Sequence, residues 1–256
     1  MTIDLEKRNG CGLLTLNRPE ALNALSFDIL REIGDAFDEV AGWNDVRALL
    51  ITGAGEKAFC AGADIKELRN RRLTDQKRGS EFGQSVFGKL DRLPIASIAL
   101  VNGYAFGGGT ELALASTFRL AGADAVFGLP EIKLGLIPGY GGTQRLPRLI
   151  GEGRALEIIM TGRGVKAEEA ERIGLVNMIA DGDLIEAGLE FAGRFTRYSL
   201  PVLEFARRAV QRSGDGPLHE GLQLEADLST LAYQTKDAEE GMAAFEEKRK
   251  PEFGDE

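Results

Sequence analysis

Histidine is almost missing from this chain: among 256 residues, His219 is the only one. Cysteine is nearly as scarce, with Cys11 and Cys60 far apart in sequence. Two thiols in a chain this long make no disulfide framework, and no His/Cys cluster has the spacing of metal ligands, so reduced cysteines and no metal are expected. Basic residues are outnumbered, 31 Lys+Arg against 40 Asp+Glu, for a net charge of −9 and a pI near 4.9. That balance opposes broad binding to nucleic acid or to an anionic membrane. No run approaches the roughly 18 apolar residues of a membrane span. The opening Met1-Thr-Ile-Asp-Leu-Glu6 has no basic segment followed by an apolar stretch, so no signal peptide and a cytoplasmic protein are expected.

What remains is ordinary for a globular chain, 43% hydrophobic and 28% charged, and long enough for a sizeable core. Gly12–Leu16 reads as a short strand, and Ser26 as the N-cap of a helix carrying Ile29, Leu30, Ile33, Phe37 and Val40 at helical spacing. Val46–Thr52 is a near-continuous apolar run of strand length, the pattern of a strand buried on both faces, and Ile95–Val101 is a second strand-like run that stops at Asn102-Gly103. Short strands are expected at 118–121 and 125–127. From Leu184 the pattern is helical only, at 184–198, 201–212, 218–233 and 238–248. The expectation is an α/β core over 1–183 and a helical region over 184–256, without sequence repeats strong enough for a solenoid.

Three glycine-bearing segments draw attention: Cys60-Ala-Gly-Ala-Asp-Ile-Lys66, Asn102-Gly-Tyr-Ala-Phe-Gly-Gly-Gly-Thr-Glu111 and Phe127-Gly-Leu-Pro-Glu131. In the middle one a strand runs through three glycines into a helix, leaving unpaired N–H groups where glycine admits close approach and the helix dipole favours negative charge. If the helix starts near Gly108, Glu111 shares its first turn, and a donor and a carboxylate sit side by side. A tight turn explains the glycines equally well, whereas neither a P-loop nor the dinucleotide fingerprint is present. Glu111 lies between Ala105-Phe106 and Leu112-Ala-Leu-Ala115, where a carboxylate is costly, which points to chemistry or to a structural ion pair.

Ala58-Phe-Cys-Ala-Gly-Ala-Asp-Ile-Lys-Glu67, Asn102–Leu112 and Leu129–Leu146 resemble the core motifs of the enoyl-CoA hydratase/isomerase (crotonase) family. Leu16-Asn-Arg-Pro-Glu-Ala-Leu-Asn-Ala-Leu25 and Phe245-Glu-Glu-Lys-Arg-Lys250 resemble it too, so the likeness runs nearly the whole chain in order. It implies a spiral of ββα units with C-terminal helices that build a trimer or a hexamer of two trimers. It implies backbone N–H groups of Ala63 and Gly108 as an oxyanion hole for a thioester carbonyl, each donor worth roughly 3–4 kcal/mol. Glu111 and Glu131, twenty residues apart, match the two glutamates of hydratases: Glu111 activates water and Glu131 supplies the proton to Cα. Gly139 matches a position whose N–H faces that water, and also reads as a turn glycine after Pro138.

The implied substrate is an acyl-CoA thioester, coenzyme A being part of the substrate rather than a separate cofactor. Ala61, Gly62, Asp64, Ile65 and Lys66 would border the coenzyme, while Phe245 and Lys248 reach that of a neighbouring subunit. Between Lys66 and Arg78 stand six basic residues and two acids, read either as a phosphate-binding run or as a solvated helix face. Glu20 stands where relatives often have a lysine, and Ser229 and Leu231 where some carry aromatics. Cys60 has no histidine near it in sequence and reads as a packed thiol, and His219 as an exposed or capping residue at a helix start. The expected activity is hydration of a trans-2-enoyl-CoA. The alternatives are Δ3,Δ2-enoyl-CoA isomerisation or another enolate reaction and, from another class, an RNA-binding relative without turnover.

Overall fold

The computed structural model describes residues 2–256. Strand β1 (Ile3–Arg8) pairs antiparallel with β2 (Cys11–Leu16) through a turn at Asn9-Gly10, both with positive φ. A 3-10 turn over Pro19–Ala21 leads to α1 (Phe27–Ala41), where Ser26 accepts a hydrogen bond from the Ile29 N–H at 3.2 Å. The apolar positions that set its helical spacing are the face it buries.

Three successive units then repeat one pattern. β3 (Ala48–Gly53) and β4 (Ala58–Cys60) precede the short α2 (Ile65–Leu68) and long α3 (Leu73–Arg92). β5 (Ala96–Val101) and β6 (Tyr104–Phe106) precede α4 (Gly108–Ala115). β7 (Phe118–Gly122) and β8 (Val126–Gly128) precede a 3-10 helix over Pro130–Leu134, then α5 (Gly142–Ile150) and α6 (Glu152–Thr161). The chain continues through β9 (Val165–Lys166), α7 (Ala167–Arg172), β10 (Met178–Ala180) and α8 (Leu184–Gly193).

The first strand of each unit joins a six-stranded sheet in the order β1-β2-β3-β5-β7-β10, parallel beyond the first hairpin. The second joins a small sheet, β4-β6-β8-β9. This is the expected spiral of ββα units. Parallel strands with both faces covered read as unbroken apolar runs, and all six residues of β3 are buried. Side-chain amides close the corners between the sheets. Asn102 Nδ2 donates to Gly53 O and Gly55 O at 2.9 and 2.7 Å, and Asn23 Nδ2 to Ala54 O and Ala58 O at 3.0 and 2.8 Å.

The chain divides into two compact units, Met1–Glu190 and Phe191–Glu256, so the division falls inside α8, seven residues beyond the 183/184 boundary read from the sequence. The second unit holds α9 (Leu200–Arg212), α10 (Leu218–Ala232) and α11 (Lys236–Glu247). The helix expected over 184–198 stops at Gly193, the residue that costs most helix propensity short of proline. In this unit Asp237, 3% exposed, accepts the N–H groups of Gly254 and Asp255 at 2.7 and 3.0 Å and so fixes the chain's last residues.

Candidate active site

Each glycine-bearing segment links the second strand of one of the three repeats to the helix that follows it, and those second strands lie side by side. β4 pairs with β6 and β6 with β8, so the loops that leave them converge at one end of the small sheet. Helix α4 does begin at Gly108, preceded by Gly107 at φ +51°, ψ −122°, a conformation that favours glycine. A Cβ on Gly107 would stand 2.9 Å from Glu131 Oε1, and one on Gly109 would stand 2.0 Å from Cys60 O. The run of glycines is thus a packing requirement as well as a turn. Thr110 ties the same corner, bonding Ala105 O at 2.6 Å and accepting from the Gly128 N–H at 3.1 Å.

Gly62 Cα lies against the position of a Gly107 Cβ, and Gly108 N is 3.6 Å from that of a Gly62 Cβ. These contacts bring the loop bearing Ala63 against the start of α4. Leu25 bridges this loop: its N–H donates to Gly62 O and its carbonyl accepts from the Asp64 N–H, both at 2.8 Å. In that parallel pattern the intervening Ala63 N–H faces away from the ladder. The Gly108 N–H is one of those that a helix start leaves without an internal partner. Two backbone donors are therefore available at adjoining points.

Two carboxyls stand in the same place. Glu111 is 1% exposed, and its Oε1 accepts the N–H groups of Tyr140 and Gly142 at 2.7 and 2.8 Å. Burial pushes its pKa up to about 7 against the pull of those donors, with the Glu131 charge adding to the rise. Glu131, in the 3-10 helix, is half-buried, and desolvation raises it as well. Its Oε2 is buried with no hydrogen-bond partner. One carboxyl is therefore anchored and the other has an uncommitted oxygen.

Gly139 sits one residue before the Tyr140 N–H that Glu111 accepts, and its carbonyl accepts from Gln84 Nε2 at 2.9 Å. The anchoring donors, Tyr140 and Gly142, are not among the residues singled out from the sequence. Ala61 and Asp64 are half-buried and Gly62 buried, whereas Ile65 and Lys66 are exposed at the start of α2. Asp64 caps that helix through the Lys66 N–H at 3.1 Å and receives Arg18 Nη1 at 3.3 Å. Phe245, 86% exposed, and Lys248 belong to the C-terminal unit. In the basic run, Arg72 pairs with Asp75 and Lys77 with Glu81, while Arg71 turns inward onto Phe27. Lys66, Arg69 and Arg78 have no ion-pair partner among the described residues. Cys60 is buried and its thiol pushed up to about 12, which removes it as a nucleophile. Among the described residues no group of three or more His, Cys, Asp or Glu could hold a metal, and no helix is long and apolar enough to cross a membrane.

A spiral of ββα repeats sets one buried and one half-buried carboxyl beside two unpaired backbone N–H groups, an arrangement suited to moving protons next to a developing oxyanion. Comparison with known proteins makes this specific. The enoyl-CoA hydratase/isomerase family model matches residues 6–256. A short-chain-enoyl-CoA hydratase of Clostridium acetobutylicum is 39% identical over 97% of this chain and 95% of its own. A crotonyl-CoA hydratase of Syntrophomonas wolfei is 41% identical over 98% and 97%. Among solved structures, an enoyl-CoA hydratase from Bacillus anthracis superposes with a TM-score of 0.94, at 39% identity over the full length of both chains. The chain belongs to the enoyl-CoA hydratase/isomerase family.

Proposed function

We propose that this protein is an enoyl-CoA hydratase that adds water across the double bond of a trans-2-enoyl-CoA to give the 3-hydroxyacyl-CoA. The observation that carries this reading is the asymmetry of the two glutamates: Glu111 Oε1 is held by two N–H groups, while Glu131 Oε2 is buried and uncommitted. Full-length relatives named as short-chain-enoyl-CoA and crotonyl-CoA hydratases support it.

In the reaction the thioester carbonyl lies against the Ala63 and Gly108 N–H groups. Glu111 takes a proton from a water whose position Gly139 N–H helps to fix, and the water oxygen bonds to Cβ. The electron pair of the double bond moves onto the carbonyl oxygen, where the two donors stabilise it. Glu131 then gives its proton to Cα as the carbonyl reforms. The pair holds one proton before and after, since the one taken from water replaces the one given. No cofactor is needed.

Around the coenzyme we assign Ala61, Gly62, Asp64, Ile65 and Lys66 to its adenine and phosphate end, with Arg69 and Arg78 as exposed basic residues of the run that have no carboxylate partner among the described residues. We further propose a homotrimer or dimer of trimers, in which Phe245 and Lys248 serve a neighbouring subunit. An apolar groove of about 760 Å³ in the C-terminal unit, with Tyr233, Met242 and Phe245 in its wall, supports it. A cytoplasmic location fits this chemistry.

The test is loss of conjugated-thioester absorbance from crotonyl-CoA, with Glu131→Gln and Glu111→Gln alongside. Rapid loss in the wild type and neither variant is expected. A Glu111→Gln protein that still isomerises a 3-enoyl-CoA, beside a wild type that never hydrates, would replace hydration with isomerisation.

A further inference from the structure

Arg71 belongs to the basic run but does not behave as a surface charge. Its guanidinium lies over the Phe27 ring, 4.1 Å from the centroid, and Nη2 donates to Asp75 O at 2.8 Å. Nη1 is buried and has no hydrogen-bond partner, and no carboxylate pairs with Arg71 among the described residues. A guanidinium N–H withdrawn from water without an acceptor is costly, so its persistence calls for an explanation.

Its neighbours trace a path to the reaction centre. A Cβ on Gly79 of α3 would meet Phe27 Cζ at 2.9 Å and Arg71 Nη1 at 3.1 Å. Four residues on, a Cβ on Gly83 would meet Tyr140 Cδ1 at 2.3 Å. The two glycines are about one helical turn apart on one face of α3, roughly 5–6 Å, which sets Arg71 and the Tyr140 ring side by side. The far edge of that ring lies 3.3–3.4 Å from the position of a Cβ on Gly108. From the Gly108 N–H, then, the Tyr140 ring leads to Arg71. The same adjacency shows in the Tyr140 hydroxyl: burial and Glu111 raise it, Arg71 pulls it down, and Glu67 raises it. Glu67 itself is engaged, its Oε2 accepting the Phe27 N–H at 2.8 Å.

We propose that Arg71 determines substrate specificity by receiving a carboxylate at the far end of the acyl chain, so that the preferred substrate is the mono-CoA thioester of an unsaturated dicarboxylic acid. The inference rests on the acyl-CoA reading of the site. A hydrocarbon terminus leaves Nη1 stranded, whereas a carboxylate accepts a charge-assisted hydrogen bond from it. Its inward turn onto Phe27 also sets Arg71 apart from the exposed basic residues of the run assigned to coenzyme A phosphates.

Equilibrium binding of two saturated, unreactive thioesters tests this apart from catalysis. Glutaryl-CoA should bind the wild-type oligomer roughly 10- to 100-fold more tightly than butyryl-CoA. In Arg71→Met the two should bind alike, and in Arg71→Lys the advantage should shrink without vanishing. Equal binding by the wild type, or an undiminished advantage in either variant, overturns the proposal, and Arg71→Lys serves alone if circular dichroism shows Arg71→Met unfolded. Hydration is read separately: a glutaryl preference without turnover of any enoyl-CoA removes the hydratase reading and leaves this one. Failure of both thioesters to bind removes the acyl-CoA reading itself, and this proposal with it.

Discussion

The two compact units are built on opposite terms. In residues 2–190 the interior is closed: Phe37, Phe59, Phe87 and Phe127 are fully buried, and β3 presents no residue to solvent. In residues 191–256 few side chains are buried, and Val210, Leu218, Tyr233, Met242 and Phe245 are more than half exposed. The α/β unit therefore closes its own interior, and it holds every group assigned to the chemistry. The helical unit keeps apolar surface that a monomer in water would leave exposed, the usual mark of an interaction face. The groups assigned to the chemistry and the exposed apolar surface thus lie in different stretches of one chain.

The largest effect that sharpens this contrast is on activity alone. Glu131→Gln should lower kcat for crotonyl-CoA hydration by about 10³-fold, within the range for loss of a general acid. Because the carboxyl is raised by desolvation, its removal should leave the melting temperature at pH 8 unchanged or slightly higher. A large drop in melting temperature would make Glu131 part of the scaffold instead. Gly109→Ala should act the opposite way, since its methyl would lie 2.0 Å from Cys60 O and force α4 away from β4. A loss of about 3 kcal/mol by denaturant unfolding is expected, at the upper end for overpacking.

Glu111 links the two properties. Its folded pKa, about 7, lies above the 4.5 of an unperturbed carboxyl, so the folded state binds its proton more tightly. The stability this contributes is complete below about pH 4.5 and is lost as pH rises toward 7. Glu111→Gln keeps an acceptor for the Tyr140 and Gly142 N–H groups and removes the charge. It should be more stable than wild type at pH 8, by on the order of 3 kcal/mol from 1.36 kcal/mol per pKa unit. The advantage should vanish as the pH is lowered to 4.5, and a constant difference across that range would refute the burial argument. On the acid side, kcat/KM of the wild type should fall below about pH 7 as the base is protonated.

Legibility in the sequence followed the same division. β3 and β5 were readable because a strand covered on both faces leaves an unbroken apolar run, and α1 because its cap and its buried stripe agree. Strands β4, β6, β9 and β10 were not, since two or three residues carry too little periodicity to stand out and β8 alone of that length was expected, and β1, Ile-Asp-Leu-Glu-Lys-Arg, is too charged to announce itself. In the site, Glu111 stood out as a carboxylate among apolar neighbours. Glu131 sits in Pro-Glu-Ile-Lys-Leu, a sequence unremarkable without the family resemblance. The donors from Tyr140 and Gly142 are backbone groups, which no side chain advertises. Arg71 was submerged in a charge run, because counting charges does not reveal which one points inward.

The smallest effects make the finest test of whether the units differ energetically. Ser26 caps α1 through the Ile29 N–H at 3.2 Å, and Thr235 caps α11 through the Ala238 N–H at 3.0 Å. Replacing either by alanine removes the same kind of bond, for about 1 kcal/mol. Helix α1 buries seven residues, whereas α11 buries only Asp237 and Ala244. Ser26→Ala should therefore lower the main thermal transition, by about 2–4 °C for a chain of this size. Thr235→Ala should leave that transition in place and instead speed amide hydrogen exchange in α11, a local opening in a region with little buried surface. If Thr235→Ala shifts the main transition as far as Ser26→Ala does, the units unfold together, and the contrast in their interiors has no thermodynamic counterpart.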